Sequence, residues 1–197
     1  MPNKIDLLNR EVALETQSRF DEGIAFPAMD NTFTAFDEGW EITDKLADIL
    51  KLTAEERTKA QETIDSFVST FETLVAQNSA PAPDLSGPEG KTISYRVRPF
   101  RTSGHAALEA LHHKLRLVVK PEKGEELFKY IRWRPHLGAF GANEVEISFP
   151  PPGDSKDSAK VWFTRRNSMT GKTISSYECT EEQLLKDQGF KRSMFPD

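Results

Sequence analysis

Apolar residues in the first half of the chain recur at helical spacing. Thr53 and Glu56 have the T-x-x-E spacing of a capping box, so we expect a helix to begin after Thr53 and to run to about Gln77. A second apolar stripe over residues 41–52 predicts a shorter helix before it, and the two would form a helical hairpin. The longer helix has one apolar face, made of Ile64, Phe67, Val68, Phe71, Leu74 and Val75.

The chain before this hairpin has a less regular pattern. Ile5, Leu8 and Val12 are in helical register and predict a third helix within the first twenty residues. Residues 23–36 form an aromatic-rich segment with turn-forming residues, which predicts a loop. We expect the rings of this loop to pack against the hairpin; they are Phe26, Phe33 and Phe36.

In the second half the period changes from helical spacing to alternation. Residues 91–100 and 143–149 alternate apolar with polar side chains, which predicts two half-buried strands. Residues 160–166 and 172–178 have the same pattern, and the loop between them ends in Gly171, which is typical of a β-hairpin. The sheet is therefore predicted to have four strands.

Helical stripes also occur between and after these strands. Residues 105–119 and 121–133 each carry one apolar face, and Pro121 suits the first position of a helix. Residues 113–119 also alternate like a strand, so both assignments stay open. A last short helix is predicted between Thr180, which has Gln183 at capping-box spacing, and Gly189.

Together these patterns predict an α+β fold. We expect an N-terminal helical hairpin followed by a small four-stranded antiparallel sheet with helices packed on one face. The predicted organisation is an acidic helical region over residues 1–78, a Pro/Gly linker over 79–90 and a basic α+β domain over 91–197. The linker assignment rests on three prolines and the absence of any basic residue within 79–90.

The charge of the chain is divided between its two halves. The formal net charge is −5. Residues 1–90 hold 7 Lys and Arg against 18 Asp and Glu, a charge of −11, whereas residues 91–197 hold 19 against 13, a charge of +6. Opposite charges favour association of the two regions with each other, within one chain or between two, or with a charged protein partner.

Composition narrows the class of protein. A chain of 197 residues with 37% hydrophobic residues is large enough to bury a hydrophobic core without disulfide bonds or a structural metal. Its single cysteine, Cys179, excludes an intramolecular disulfide framework and multi-cysteine metal sites. No apolar run approaches the roughly 18 residues of a membrane span, and the first residues lack a secretory signal. We therefore expect a soluble chain without membrane insertion, cytoplasmic unless a leader was trimmed.

Candidate catalytic or metal-binding residues are confined to the histidines and one carboxylate. On a helix, His105, Glu109 and His113 form successive i, i+4 pairs, but together they span about 12 Å, which is too far for one ion. We interpret these residues and His112 as a solvated helix face and His136 as a loop residue. The sequence predicts no metal and no cofactor, and a His-dependent or metal-dependent enzyme remains an alternative.

The clearest functional signal lies on the predicted sheet. If Val161 and Phe163 point into the core, alternation along the strand places Lys160, Trp162, Thr164 and Arg166 on the opposite face of the sheet. A tryptophan among arginines resembles the stacking platforms that bind single-stranded nucleic acid. A sequence pI of about 5.5 argues against a polyanion partner. The predicted partner-binding residues are Arg96, Arg98, Lys160, Trp162, Thr164 and Arg166.

From these observations the sequence predicts a non-catalytic protein-interaction or adaptor module. Its partner would be another protein or a second copy of the chain. Cover of the sheet face by the protein's own helices, and binding of single-stranded nucleic acid, are the competing hypotheses. A shift of the pleat by one residue, which would make Trp162 part of the core, is the alternative to this cover. A third possibility is that the acidic hairpin packs on the basic face, within one chain or between two.

Overall fold

The computed structural model describes residues 36, 40–85, 92–132, 140–150 and 160–195. Within them the chain forms five α-helices, two short 3-10 helices and one antiparallel sheet. The predicted helix of residues 1–20, Phe26, Phe33 and His136 lie outside the described residues. The helices are α1 Asp44–Ile49, α2 Ala54–Asn78, α3 Arg101–Val118, α4 Pro121–Arg132 and α5 Glu181–Gln188, and the 3-10 helices are Pro83–Leu85 and Arg192–Met194. The strands are β1 Ser79–Pro81, β2 Ile93–Val97, β3 Asn143–Phe149, β4 Val161–Asn167 and β5 Thr173–Cys179.

The sheet confirms the α+β class but has one strand more than predicted. Its five strands follow one another in chain order, and every neighbouring pair is antiparallel. The prediction of four strands was wrong because β1 is only three residues long and shows no alternation. Its last residue is Pro81, and a proline is tolerated there because β1 lies at the edge of the sheet.

Both β1 and the first 3-10 helix fall within residues 79–90, the segment predicted as a linker. Ser79 lies opposite Val97 of β2, so the chain joins the sheet directly after α2 ends. The amide of Ala82 then donates to the carbonyl of Ser94, 2.8 Å away. The division of the chain into two domains at this segment stays a prediction.

The predicted helical hairpin is only partly present. Helix α2 begins as predicted, because Thr53 Oγ1 accepts from the amide of Glu56 and the Glu56 carboxylate accepts from the amide of Thr53. Helix α1 is only six residues long, and the chain leaves it through Lys51, whose φ of 50° is left-handed. The first arm of the hairpin is therefore shorter than its apolar stripe indicated.

The segment with two open assignments, residues 113–119, is helical as far as Val118. Leu111 and Leu115 are buried at i, i+4 spacing on the side of α3 that packs on its neighbours, so the apolar stripe outweighs the local alternation. The capping box of Thr180 and Gln183 at the start of α5 is also present. Gly189 ends that helix with a φ of 72°, as its sequence position predicts.

Aromatic rings hold the helices on one face of the sheet. Phe71 of α2 stacks on Phe140 with ring centroids 5.2 Å apart and contacts Phe190 at 5.9 Å. Phe190 in turn lies 6.2 Å from Phe163 of β4. The acidic helix α2 therefore approaches the apolar face of the sheet. Within one chain, α2 therefore does not cover the basic face, and packing of the hairpin on this face between two chains stays a hypothesis. The shifted pleat was wrong, since Trp162 is 46% exposed on the opposite face.

Among the described residues, two ion pairs join α2 to the basic second half of the chain. Lys123 Nζ of α4 lies 2.7 Å from a carboxylate oxygen of Glu56 and 2.5 Å from the carbonyl oxygen of Lys51. Lys191 Nζ lies 2.6 Å from a carboxylate oxygen of Glu72. The hydrogen bond from Lys123, together with the one from the amide of Thr53, lowers the pKa of Glu56 from 4.5 to about 2. This carboxylate thus caps α2 and ties it to α4.

Replacing Phe71 by alanine tests the aromatic packing. We expect F71A to lower the free energy of unfolding by roughly 3–5 kcal/mol, because a buried ring is lost and a cavity remains between α2 and the sheet. The matched control is S69A on the exposed side of the same helix, for which a change within about 0.5 kcal/mol is expected. Denaturant unfolding at pH 7 measures both, and equal effects would contradict the role of Phe71.

The lowered pKa of Glu56 predicts a stability change in acid. The contribution of the Glu56 carboxylate to the free energy of unfolding is complete above pH 4.5, where the carboxylate is charged even in the unfolded chain. It is lost as the pH falls towards 2. We expect E56Q to flatten the fall of the thermal midpoint between these pH values, whereas E62Q, an exposed substitution on α2, should leave it unchanged. Identical pH profiles for E56Q and the unaltered chain would rule out this coupling.

Candidate binding face of the sheet

The strand register brings four of the six predicted binding residues onto one face of the sheet, opposite the helices. We call it the outer face. It consists of three cross-strand rows: Ser94, Ser148, Trp162 and Glu178; Arg96, Glu146, Thr164 and Ser176; and Glu144, Arg166 and Thr173. Trp162, Thr164, Arg166 and Arg96 therefore share a face, as the alternation predicts. Their role in binding stays a prediction.

Arg96 and Arg166 lie on either side of one buried carboxylate. Glu146 is 9% exposed. One of its oxygens lies 3.3 Å from Arg96 Nη2, and the other accepts from Arg166 Nε and Nη2 at 3.1 and 3.0 Å. Arg96 also donates to Asp84 of the first 3-10 helix at 2.8 Å, and this contact lowers the pKa of Asp84. Both arginines are thus neutralised within the protein.

The outer face is covered on one side and open on the other. Near β2, the hydroxyls of Ser94 and Ser148 are 2.7 Å apart and buried, and Ser94 Oγ donates to the carbonyl of Leu85 in the first 3-10 helix. Towards β5, Trp162 is 46% exposed. The open part is therefore the surface of the β4–β5 hairpin.

Polar contacts surround Trp162 on this hairpin. Lys160 Nζ lies 2.7 Å from a carboxylate oxygen of Glu178, which is directly opposite Trp162 on β5. One row further, the hydroxyls of Thr164 and Ser176 are 2.9 Å apart. An aromatic side chain is thus held in a fixed sheet position and is framed by paired polar groups.

Arg98 lies two positions along the chain from Arg96, just beyond the end of β2. Its amide donates to the carbonyl of Asn78 at 2.9 Å, and the residue is exposed. It is therefore next to the junction of α2 and β1 rather than in a row of the outer face. Of the six predicted residues, Arg98 and Lys160 lie outside the paired strands, and Lys160 is joined to the hairpin by its ion pair with Glu178.

The histidines on α3 do not form a common site. His112 turns towards α4, where its Nε2 lies 2.7 Å from a carboxylate oxygen of Glu125 and its ring stacks on Phe128 at 4.3 Å. The hydrogen bond with His112 lowers the pKa of Glu125. Among the described residues, no group of three potential ligands is placed to hold a metal ion. The other candidates on this helix, His105, Glu109 and His113, are exposed.

Cys179 and Arg165 both lie on the helix-covered face of the sheet. Cys179 is buried with its Sγ 3.8 Å from the carbonyl oxygen of Val161. Arg165 lines a cavity of about 40 Å³ whose walls are mainly phenylalanine rings, and burial lowers the pKa of its guanidinium. At roughly 10–15 Å³ for each water, this space holds about three or four water molecules. It is therefore too small for most metabolites.

The buried ion cluster was not recognised from the sequence. Alternation alone gives Glu144 and Glu146 the pattern of solvated carboxylates on a strand. The signal that could have found the cluster is an acidic strand residue on the same predicted face as two arginines of other strands. Only the register shows that Arg96 and Arg166 flank Glu146 rather than each other.

Comparisons with protein-family models, with curated proteins and with solved structures found no match to this chain. Within the part of the chain that the structure describes, no helix combines the length and the apolar character needed to cross a bilayer. We therefore infer a function from the residues of the outer face.

Removing the charge of Glu146 tests the cluster. We expect E146Q to lower the free energy of unfolding by roughly 1–3 kcal/mol, because two neighbouring guanidinium groups then lose their shared carboxylate. The matched control E144Q should change it by less than about 1 kcal/mol, since Glu144 Oε1 is 3.9 Å from Arg96 Nε and about one third of its side chain is exposed. Denaturant titrations at pH 7 compare the two, and a larger effect of E144Q would contradict the assignment.

Proposed function

We propose that this protein is a non-catalytic protein-interaction module that binds a protein partner through the open part of the outer face around Trp162. The observation that carries the proposal is the 46% exposure of this tryptophan on a strand that is paired on both sides. Exposed tryptophans are uncommon, and tryptophan is enriched among the residues that dominate binding energies at interfaces.

The surroundings of Trp162 support this proposal. The β4 backbone is fixed by β3 and β5, so little conformational entropy is lost when the side chain is buried by a partner. The Lys160–Glu178 ion pair and the Thr164–Ser176 hydrogen bond lie beside it. An aromatic centre with a polar border is the usual composition of a protein–protein interface.

The charges of the outer face favour a protein over a polyanion. Arg96, Arg166 and Lys160 each have a carboxylate partner within 3.3 Å. A phosphate would have to compete with these carboxylates for the same guanidinium and ammonium groups. Phosphate contacts supply most of the affinity for nucleic acids, so a neutralised face is poorly suited to single strands.

A capture experiment with a tryptophan variant tests the proposal. The immobilised full chain is incubated with an extract of its source cells, and bound proteins are quantified for the unaltered chain, W162A and L117A. We expect at least one protein to be lost by more than tenfold with W162A, because its contact with the indole ring is removed. L117A is the matched control, since Leu117 is 71% exposed on α3, away from the sheet.

Two results would contradict the proposed function. The first is the recovery of the same proteins by W162A and the unaltered chain. The second is saturable binding of a single-stranded 20-mer at about 0.15 M salt that is lost in both R96A and W162A, which would favour nucleic-acid binding. Thermal unfolding of each variant must show a folded chain before binding is compared.

A further inference from the structure

We infer that the exposed side of α3, near the C-terminal end of this helix, binds an acidic protein segment that carries an exposed apolar side chain. This surface is separate from the outer face of the sheet, so the inference goes beyond the proposed function. We call it the α3 patch. Its residues are all exposed, and they are His113, Lys114, Arg116, Leu117 and Lys120.

Helical periodicity gives α3 a buried side and an exposed side. Leu111 and Leu115 are buried on the side that packs on the neighbouring helices. His113 and Leu117 are one turn apart, at i, i+4, and lie on the opposite side. Leu117 keeps 71% of its area exposed, the highest fraction among the large apolar side chains that the structure describes. The α3 patch therefore has an apolar side chain at its centre.

The sequence around Leu117 concentrates positive charge. Residues 110–121 contain three cations, and no Asp or Glu. In the part of the chain that the structure describes, the ion pairs of α3 and α4 all involve other residues. These pairs are His112–Glu125, Lys123–Glu56 and Lys129–Glu126.

The cations of the α3 patch are thus available to a partner. Arg116 is close enough to Glu125 for its charge to help lower the pKa of that carboxylate, which already has a hydrogen bond with His112. Lys114 and Lys120 form no ion pair among the described residues. The arginines in the rows of the outer face, by contrast, each have a carboxylate partner.

The end of a helix attracts cations, but this does not explain the exposed leucine. Lys114 and Arg116 lie in the last turns of α3, where positive charge is favourable next to unpaired carbonyl groups. A leucine beside them adds nothing to that interaction, and its exposure forgoes the free energy of burying apolar area. A partner that brings both carboxylates and an apolar side chain makes use of both properties.

Charge complementarity selects an acidic protein segment as the occupant of the α3 patch. Its carboxylates would lie beside Lys114 and Lys120, and its apolar side chain would cover Leu117. An apolar centre with a charged border is the usual composition of a protein–protein interface. Complementary charges at the border speed association and make the affinity sensitive to salt.

Two other anionic partners fit this surface less well. A lipid surface binds a helix through a broad apolar face, but the apolar face of α3, with Leu111 and Leu115, is turned inward. A single-stranded nucleic acid gains most of its affinity from many phosphate contacts, and the net charge of −5 on the whole chain repels a polyanion. A short acidic segment avoids both difficulties.

A titration with two acidic peptides tests this inference. Both are labelled with fluorescein and rich in glutamate, and one has a central leucine where the other has serine. Fluorescence anisotropy is measured with the full chain at pH 7 and about 0.05 M salt. We expect the leucine peptide to bind with a Kd of about 10 µM to 1 mM, because the patch is smaller than a standard interface. The serine peptide should bind about threefold more weakly, since it buries less apolar area.

Variants of the full chain locate the binding site. K114E/K120E should bind the leucine peptide at least tenfold more weakly, because attraction is replaced by repulsion. L117A should bind the two peptides equally. The matched control is K172E/K186E, which changes the net charge by the same amount at exposed lysines outside the patch. Its affinity should change by less than about threefold, since salt screens distant charges.

Several results overturn the inference. They are the absence of binding up to about 1 mM chain, an equal loss of affinity in the two double variants, and equal affinity of the unaltered chain for both peptides. Tighter binding of a single-stranded 20-mer, or of vesicles that contain phosphatidylserine, also overturns it. Circular dichroism must show that each variant is folded, and the comparison of the two peptides needs no variant at all.

The tryptophan variant separates this inference from the proposed function. W162A is altered only on the outer face, so it should bind both peptides like the unaltered chain. Loss of peptide binding in W162A would place the peptide on the outer face and overturn the inference. If the peptides do not bind but W162A still loses a captured protein, the proposed function stands and only the α3 patch is rejected.

Discussion

The contact on which the rest of the structure depends is the packing of Phe71 between Phe140 and Phe190. Phe71 belongs to the acidic helix α2, whereas the other two rings belong to the basic half of the chain. The ring of Phe190 also contacts Phe163 of the sheet. Burial of such rings is the largest favourable free-energy contribution available to a domain of this size. It decides which face of the sheet the helices cover.

Because the apolar face is used in this way, the other face is left to polar and charged residues. Glu146 then becomes the central group of that face, since it is buried and shared by Arg96 and Arg166. The net charge of this half already includes Glu146, so the cluster itself does not reduce that net charge. Lys123 and Lys191 do offset negative charge of the other half, because they pair with carboxylates of α2. Part of the charge segregated in the sequence is therefore compensated within one chain.

What remains available to a partner is small and well defined. On the outer face it comprises Trp162 and the polar pairs around it. These groups lie on one β-hairpin whose other face is anchored by Val161 and Phe163, both fully buried. A surface on a fixed hairpin loses little entropy on binding, so one aromatic side chain with a polar border is sufficient to define a recognition site.

The sequence by itself determined the elements that depend on local physics. Neighbouring residues determine the capping boxes at Thr53 and Thr180, the helix end at Gly189 and the alternation of β2, β3, β4 and β5. The positions of these features were therefore predicted closely. The alternation placed Trp162 and Phe163 on opposite faces of the sheet but left open which of the two faces the core. The helix over residues 113–119 needed the burial of Leu111 and Leu115 to be decided.

Only the tertiary structure decided the features that depend on residues distant in sequence. The three-residue strand β1 exists because β2 supplies its hydrogen-bond partners, and it has no pattern of its own. Glu146 meets Arg96 and Arg166 across separations of 50 and 20 residues, which only strand register can fix. The same holds for the covered face, because alternation shows that a strand has two faces but not which face the rest of the chain will occupy.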